Sequence, residues 1–272
     1  MTNELNALLA HYKDASEETR LNTPWGKLEF QRTQYLIKKY LPEPPAVILD
    51  VGGAAGIYSL WLASEGYIVH LIDLVPKHIE QGLLASRHSQ YPFASASVGD
   101  ARSLQQQNES VDAVLFLGPL YHLPEKSDRI KALMEAYRVL KPSGVIFAVG
   151  ISRFASALDG LWRKLLDDPP FAAMVEQDLK NGQHRNPTNN PEYFTDAYFH
   201  LPEELITEVE EVGFKLQMMS AIEGPAWLLP ELTYWQNDVT RHKILMTILE
   251  KIGQNASLMG ISSHFMAIGR KF

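Results

Sequence analysis

The chain contains no cysteine among its 272 residues. Disulfide bonds, thiolate metal sites and cysteine nucleophiles are therefore excluded. The sequence also lacks an uninterrupted apolar run of about 18 residues, which predicts that no helix spans a membrane. No basic stretch followed by an apolar one stands at the N-terminus, so we expect no signal peptide and a cytoplasmic location.

Basic charge is scarce as well. The formal net charge is -7, from 25 lysines and arginines against 32 aspartates and glutamates, with no dense basic run. Because a protein that binds a phosphate backbone usually needs a basic face, we do not expect nucleic acid as the partner, and the lack of a spanning run predicts no membrane partner. The length and the 46% hydrophobic fraction fit one α/β domain with added segments, as a monomer or a homodimer.

Short apolar segments alternate with helical patterns in the middle of the chain, which is typical of a mostly parallel sheet. Strands are predicted at 46–51, 67–72, 94–98, 113–117, 145–150, 214–220 and 264–269. Helices are predicted over most of the first 40 residues and at 57–65, 126–140, 202–212 and 239–252. The resulting division is an N-terminal helical cap (1–45), a core (46–150), a lid insertion without sheet strands (151–200) and a C-terminal part of the core sheet (201–272).

A turn of small residues, 50–56 with the sequence DVGGAAG, follows the first predicted strand and opens a helix. In an open parallel sheet, ligands bind outside the carboxyl ends of the strands, and small residues there let the backbone approach a ligand closely. Taken alone, the turn is either a structural element or part of a dinucleotide site.

Acidic residues follow the next two predicted strands. Asp73 stands where a carboxylate accepts hydrogen bonds from both ribose hydroxyls, a feature that nicotinamide and S-adenosylmethionine enzymes share. Asp100 is placed to accept from an adenine amino group, or alternatively to cap a turn or a helix. The turn and the two acids, at three successive strand ends, are more specific together than any one of them.

These segments resemble the class I S-adenosylmethionine-dependent methyltransferases, in the branch of ubiquinone/menaquinone-type and other small-molecule enzymes. Residues 47–52 match the first motif of the family, with Ala54 where a second glycine is usual, and residues 112–123 match the fourth-strand motif. Residues 138–144 resemble the approach to the fifth strand. The resemblance implies an α/β, Rossmann-like, seven-stranded, mostly parallel sheet with an antiparallel last strand, plus helical cap and lid segments.

The resemblance further implies S-adenosyl-L-methionine as cofactor, S-adenosyl-L-homocysteine as product and no metal. The expected cofactor-binding residues in the core are Asp50, Gly52, Gly53, Ala54, Gly56, Asp73, Leu74, Asp100, Ala101, Leu117, Gly118 and His122. Residues 29–33 resemble a segment that precedes the first motif in related enzymes. From this N-terminal region we expect Arg32 to reach the cofactor and Tyr12 to reach the substrate, the alternative being a solvated helix face.

Methyl transfer requires in-line placement of the acceptor and exclusion of water, because the sulfonium already activates the methyl group. A general base is needed only for an acceptor that loses a proton, and the candidates are Tyr121 and His122, at the end of the fourth strand. His122 is alternatively a cofactor contact or a packing residue. In the insertion, Tyr193, Tyr198 and His200 are expected to bind the acceptor, or else to anchor the insertion to the core.

Three other functions compete with small-molecule methyl transfer. A nicotinamide-dependent oxidoreductase usually carries Gly-x-Gly-x-x-Gly, which the spacing of Gly52, Ala54 and Gly56 does not provide. A non-catalytic S-adenosylmethionine-binding protein is compatible with the same motifs. An RNA methyltransferase is disfavoured by the acidic charge.

Overall fold

A computed structural model describes residues 21–188 and 190–272 of the chain. Tyr12 therefore lies outside the described residues, as do all of residues 1–20 of the predicted helical cap. Among the described helices, none combines the length and the apolar composition needed to cross a membrane.

The described residues form a nine-stranded sheet flanked by helices. Its strands are β1 (Val47–Val51), β2 (Ile68–Asp73), β3 (Ser95–Val98), β4 (Val111–Phe116), β5 (Leu140–Ser152), β6 (Gln183–His184), β7 (Ala197–His200), β8 (Lys215–Ala221) and β9 (His264–Arg270). The main path runs β3-β2-β1-β4-β5-β7-β6, and β9 pairs with both β5 and β8.

Parallel pairing brings the carboxyl ends of the first strands to one edge. β1 lies between β2 and β4, and β3 pairs with β2, all in parallel. β9 runs antiparallel to β5. The predicted mostly parallel α/β sheet with an antiparallel last strand is thereby confirmed. The segment 151–200 nevertheless adds β7, which pairs in parallel with the last two residues of β5, and β6, which pairs with β7. The expectation of no sheet strand there was wrong, and the sheet has nine strands rather than the seven expected.

Ten α-helices accompany these strands in the described residues. They are α1 (Pro24–Lys38), α2 (Ile57–Ser64), α3 (Pro76–His88), α4 (Lys126–Val139), α5 (Ala155–Arg163), α6 (Pro169–Asn181), α7 (Pro202–Glu211), α8 (Leu232–Gln236), α9 (Val239–Ile252) and α10 (Ala256–Met259). The sequence did not predict α3, since half of its buried residues, His78 and Ser86, are polar and interrupt the apolar pattern.

The two faces of the sheet carry separate hydrophobic clusters. Successive side chains of a strand point to opposite faces, so Ile48 belongs to one cluster and Leu49 to the other. Leu36 of α1 and Leu62 of α2 cover the Ile48 face. Leu133 of α4, together with residues of α7, covers the Leu49 face. With both faces buried, the edge formed by the carboxyl ends of the strands is the place left for a ligand.

Candidate active site

A cavity of about 620 Å³ lies at the carboxyl edge of the parallel strands. Its volume is within the usual range for small-ligand and cofactor sites. The turn after β1 and the ends of β2, β3 and β4 form one side, while α1 and the segment 151–200 form the other. The cavity therefore lies where the sheet topology predicts ligand binding.

The turn after β1 needs its two glycines for different reasons. Gly52 has a φ of +68°, and a Cβ atom there would lie 2.8 Å from the Pro119 ring. A Cβ on Gly53 would lie 2.5 Å from the Asp50 carboxylate. Both glycines line the cavity, so the turn presents bare backbone to a ligand. Gly56, in contrast, begins α2 with a φ of +79° and does not line the cavity, so its role is in the turn itself.

The Asp73 carboxylate is fixed from three directions. Its Oδ1 accepts hydrogen bonds from the backbone N–H of Val75 at 2.8 Å and lies 3.0 Å from Nδ1 of His78. Its Oδ2 accepts from the backbone N–H of Ala54 at 2.9 Å. A carboxylate oxygen has two lone-pair directions, so Oδ2, at the cavity wall, retains one for a ligand hydroxyl. This arrangement fits a ribose.

Asp50 is completely buried, and it lines the cavity from beneath the glycine turn. Its Oδ2 accepts a 2.7 Å hydrogen bond from the Ser59 hydroxyl, whereas its Oδ1 has no hydrogen-bond partner among the described residues. Burial raises the pKa of Asp50 to about 6, with the charge of Asp73 adding to the effect and the Ser59 bond opposing it. A cationic group in the cavity would favour the ionised form, so the site fits a positively charged cofactor.

Asp100 lies on the cavity wall but its carboxylate already has a strong partner. Arg102, which the sequence analysis did not single out, donates to both carboxylate oxygens, with Nη2 at 2.7 Å from Oδ2 and Nε at 3.0 Å from Oδ1. The second guanidinium arm reaches Asp128 at 2.6 Å. Burial raises the pKa of Asp100, but the Arg102 hydrogen bonds outweigh it and the net shift is downward. Asp100 is therefore held as an anion.

The remaining predicted residues of the core also line the cavity, namely Leu74, Ala101, Leu117, Gly118, Tyr121 and His122. Tyr121 and His122 end a 3₁₀ helix, Pro119–His122, that follows β4. Their rings are 4.8 Å apart, and the His122 ring lies 5.6 Å from Phe194 of the segment 151–200. The 3₁₀ helix thus lies between the end of β4 and the segment 151–200.

Arg32 does not reach the cavity. Its Nε donates to the carbonyl of Ile222 at 3.0 Å and its Nη2 to that of Leu249 at 3.4 Å, so the buried guanidinium ties α1 to the C-terminal elements. The expectation that Arg32 contacts the cofactor is corrected accordingly. Of the segment 29–33 that resembled a binding segment, Glu29 lines the cavity, whereas Arg32 and Thr33 lie on the buried face of α1.

Tyr198 and His200 also lie outside the cavity wall, which corrects their expected role in binding the acceptor. They alternate along β7 with Phe199, and only Phe199 faces the cavity. The Tyr198 hydroxyl bonds Glu204 at 3.1 Å, and Nε2 of His200 lies 3.3 Å from Glu208. Burial lowers the pKa of His200, which keeps it neutral.

Tyr193, the third aromatic residue expected to bind the acceptor, does line the cavity. Its hydroxyl bonds Asp168, and its ring lies 4.9 Å from Phe171. The cavity has further walls that the sequence analysis missed, among them Glu29, Trp162, Glu223 and His264. Glu223 lies two residues after β8 and His264 begins β9, so the rule that selected Asp73, an acid at the carboxyl end of a parallel strand, did not select them.

The comparisons with known proteins find methyltransferases. A family model described as a methyltransferase domain matches residues 49–148. The chain is 31% identical over 148 residues to the ubiquinone/menaquinone biosynthesis C-methyltransferase UbiE of Acidiphilium cryptum, covering 53% of this chain and 58% of that protein. It is 28% identical over 210 residues to the ubiquinone biosynthesis O-methyltransferase of Xanthomonas axonopodis pv. citri, covering 75% and 77%.

Among solved structures, an S-adenosylmethionine-dependent methyltransferase of Methanosarcina mazei shares the fold, with a TM-score of 0.59 at 22% identity over 87% of this chain and 97% of that one. The matches confirm the resemblance that the motifs indicated. The match to the Acidiphilium protein spans less than two thirds of that protein's length.

Proposed function

Because the chain carries a class I S-adenosylmethionine-dependent methyltransferase domain, we propose that it transfers the methyl group of this cofactor to a small-molecule acceptor by in-line displacement. The observation that carries the proposal is the hydrogen bond between Ala54 and Asp73. This bond holds the glycine turn after β1 against the Asp73 carboxylate at the cavity wall, where the carboxylate can bind a ribose.

Each part of the core has a role in holding the cofactor. Asp73 accepts from a ribose hydroxyl through Oδ2, and Asp100, held by Arg102, faces the adenine. Gly52 and Gly53 let the cofactor approach the backbone, and the buried Asp50 compensates positive charge. The bound cofactor supplies a methyl group activated by a sulfonium.

The lid role belongs to the segment 151–200 together with the N-terminal cap. Trp25 of α1 and Trp162 of α5 meet edge to face, with ring centroids 5.5 Å apart, and both line the cavity. Tyr193 and Phe194 line it from the later part of the segment. A cover of this kind keeps water from the reacting centre and selects the acceptor. The segments 46–150 and 201–272 form the core beneath it.

Two features support a small acceptor rather than a macromolecule. Arg102 is the only arginine or lysine on the described cavity wall, so a phosphate backbone finds little complementary charge. The aromatic side chains on the acceptor side suit a partly apolar compound. The relatives that act in ubiquinone biosynthesis favour the same class.

The test is transfer of label from methyl-¹³C S-adenosylmethionine to a panel of phenols, quinols, amines and thiols, with release of S-adenosylhomocysteine measured alongside. We expect labelled product from at least one class. Cofactor binding with no turnover on any class, including a control RNA, would favour a non-catalytic binding protein. Turnover on RNA alone would replace the small-molecule assignment.

A further inference from the structure

A histidine and a buried glutamate stand together on the cavity wall. Nδ1 of His264 lies 2.7 Å from Oε1 of Glu223. The Oε2 atom of Glu223 accepts from the Ser262 hydroxyl at 2.9 Å and from the backbone N–H of His264 at 3.0 Å. The Glu223 side chain is 4% exposed and that of His264 is 20% exposed, so the carboxylate is buried and the imidazole faces the cavity.

The topology explains why these residues meet at the reactive edge. β9 runs antiparallel to β5, so its first residue, His264, pairs with Ile151 near the carboxyl end of β5. β8 is antiparallel to β9, so its end also lies at this edge, and Glu223 follows it by two residues. The backbone N–H of Gly224 donates to Ser262 at 3.0 Å and completes the support of the carboxylate.

This geometry determines which nitrogen of His264 carries the proton. A buried carboxylate that lies 2.7 Å from Nδ1 selects the tautomer with Nδ1–H, because two acceptors facing each other would repel. Nε2 is then the basic nitrogen. The ring centroid of His264 is 6.3 Å from that of Tyr121, so the imidazole adjoins the end of β4. A base, an orienting carboxylate and a cavity are the elements of general-base catalysis.

We propose that His264, oriented by Glu223, is the general base of the reaction and that the acceptor is a compound with an acidic hydroxyl group, such as a phenol. The proposal rests on the methyl transfer proposed above. The hydroxyl oxygen forms a bond to the methyl carbon while the carbon–sulfur bond breaks, and the electron pair of that bond stays on sulfur. The hydroxyl proton passes to Nε2 of His264. The resulting imidazolium is stabilised by the Glu223 carboxylate and then releases its proton to water.

The surrounding charges agree with this role. Among the described residues, the ionisable groups around His264 include Glu223 after β8, Glu29 on α1, and Tyr121 after β4. Glu29, Glu223 and His264 each offer a ligand atom within 4.8 Å of the others, an arrangement that also suits a divalent cation. A cation bound to Nδ1 would have to displace its proton and separate it from Glu223, whereas a cation bound to Nε2 would occupy the basic nitrogen, so a bound cation and a general base exclude each other at this site.

The first test measures which nitrogen of the His264 imidazole carries the proton, and it requires no turnover. In ¹⁵N NMR spectra of the protein bound to S-adenosylhomocysteine, His264 should be neutral with its proton on Nδ1. In Glu223→Gln the amide oxygen should keep the two donors that Oε2 now accepts from, Ser262 and the His264 backbone N–H, which leaves the amide N–H group to donate to Nδ1. The ring proton should therefore move to Nε2. His70→Asn is the control, because His70 lies in β2, contacts Ser95 and does not line the cavity. A wild-type His264 protonated on Nε2 would overturn the proposal.

The second test uses 4-nitrophenol as a probe, because its ionisation is visible by absorbance. Added to the complex with S-adenosylhomocysteine near neutral pH, it should bind as the phenolate. His264→Asn keeps a donor toward Glu223 but removes the base, so the phenolate signal should disappear while the product remains bound. In turnover with a phenolic acceptor, the same variant should lose about 100-fold in kcat, with a smaller change in KM.

Other outcomes would contradict the base assignment without touching the cofactor assignment. An equal phenolate signal in His264→Asn, or no binding of the probe to a complex that binds S-adenosylhomocysteine, would overturn it. So would loss of phenolate binding on addition of EDTA with recovery on Mg²⁺, which would favour a cation at the same three side chains. Failure to bind S-adenosylhomocysteine at all would instead overturn the proposed function.

Discussion

The backbone N–H of Ala54 donates a 2.9 Å hydrogen bond to Oδ2 of Asp73. This bond connects the turn after β1 to the end of β2, and it holds Ala54 in the left-handed region with a φ of +47°. The family usually has a glycine at this position. The left-handed backbone conformation costs an alanine about 1 kcal/mol. Here the hydrogen bond to the Asp73 carboxylate, which also faces the cavity, stabilises that conformation.

Replacement of Asp73 should therefore affect binding and structure together. Asp73→Ala removes the acceptor for the ribose and for Ala54, so we expect a loss of about 2–4 kcal/mol in S-adenosylhomocysteine affinity and a lower melting temperature. Calorimetric titration and thermal unfolding measure the two effects. Asp112→Asn, at the opposite end of the sheet, is the control and should keep full affinity. Normal affinity in folded Asp73→Ala would place the ribose elsewhere.

The adenine assignment can be tested with an altered ligand. If Asp100 accepts from the adenine amino group, Asp100→Asn should weaken S-adenosylhomocysteine by about 1–2 kcal/mol but leave its inosine analogue nearly unaffected, because inosine lacks that amino group. Titration of both ligands against both proteins forms a thermodynamic cycle. Equal losses for the two ligands would assign Asp100 a structural role through Arg102.

Stability should depend on pH through Asp50. Its pKa is raised from 3.8 to about 6 by burial, so protonation of the folded state stabilises the protein below about pH 4, and this contribution is lost as pH rises through 6. Asp50→Asn keeps a neutral side chain at all pH values. At pH 8 it should be more stable than the wild type by up to about 3 kcal/mol, a gain that vanishes in acid. Urea unfolding of both proteins from pH 4 to 8 tests this, and a pH-independent difference would contradict it.

Substitution of His200 should affect the stability of the fold, whereas substitution of Tyr193 should affect turnover of the acceptor. His200 is fully buried against Glu208, whose pKa is held at about 2 because the bonds to His200 and Arg129 outweigh the effect of burial. His200→Ala should cost about 2–4 kcal/mol in the free energy of unfolding and leave the kinetics of the folded protein unchanged.

Tyr193→Ala should lower acceptor turnover about tenfold at unchanged cofactor affinity. The reverse pattern would remove Tyr193 from the acceptor site.

The sequence predicted the parts of the fold that repeat a local pattern. The strands from β1 to β5 and helix α9 lie close to their predicted positions, because apolar periodicity and glycine breaks mark them. It also selected Asp50, Asp73 and Asp100, which lie within two residues of the carboxyl ends of β1, β2 and β3 and line the same cavity.

The rest of the site depends on contacts between distant parts of the chain. Tyr198 points away from the cavity because of the register in which β7 pairs with β5. The sequence of so short a strand does not reveal its register. The burial of Arg32 depends on carbonyls about 200 residues away in sequence. His264 and Glu223 meet because β9 lies between β5 and β8, and no local spacing carries that information.

Calorimetric titration of the purified protein with S-adenosylhomocysteine, beside a parallel titration with NADH, tests the central claim most directly. The glycine turn, Asp50, Asp73 and Asp100 predict binding of S-adenosylhomocysteine at a single site in the micromolar range or tighter, about -8 kcal/mol or better, and weak or no binding of NADH. Tight binding of NADH with no binding of S-adenosylhomocysteine would contradict the account.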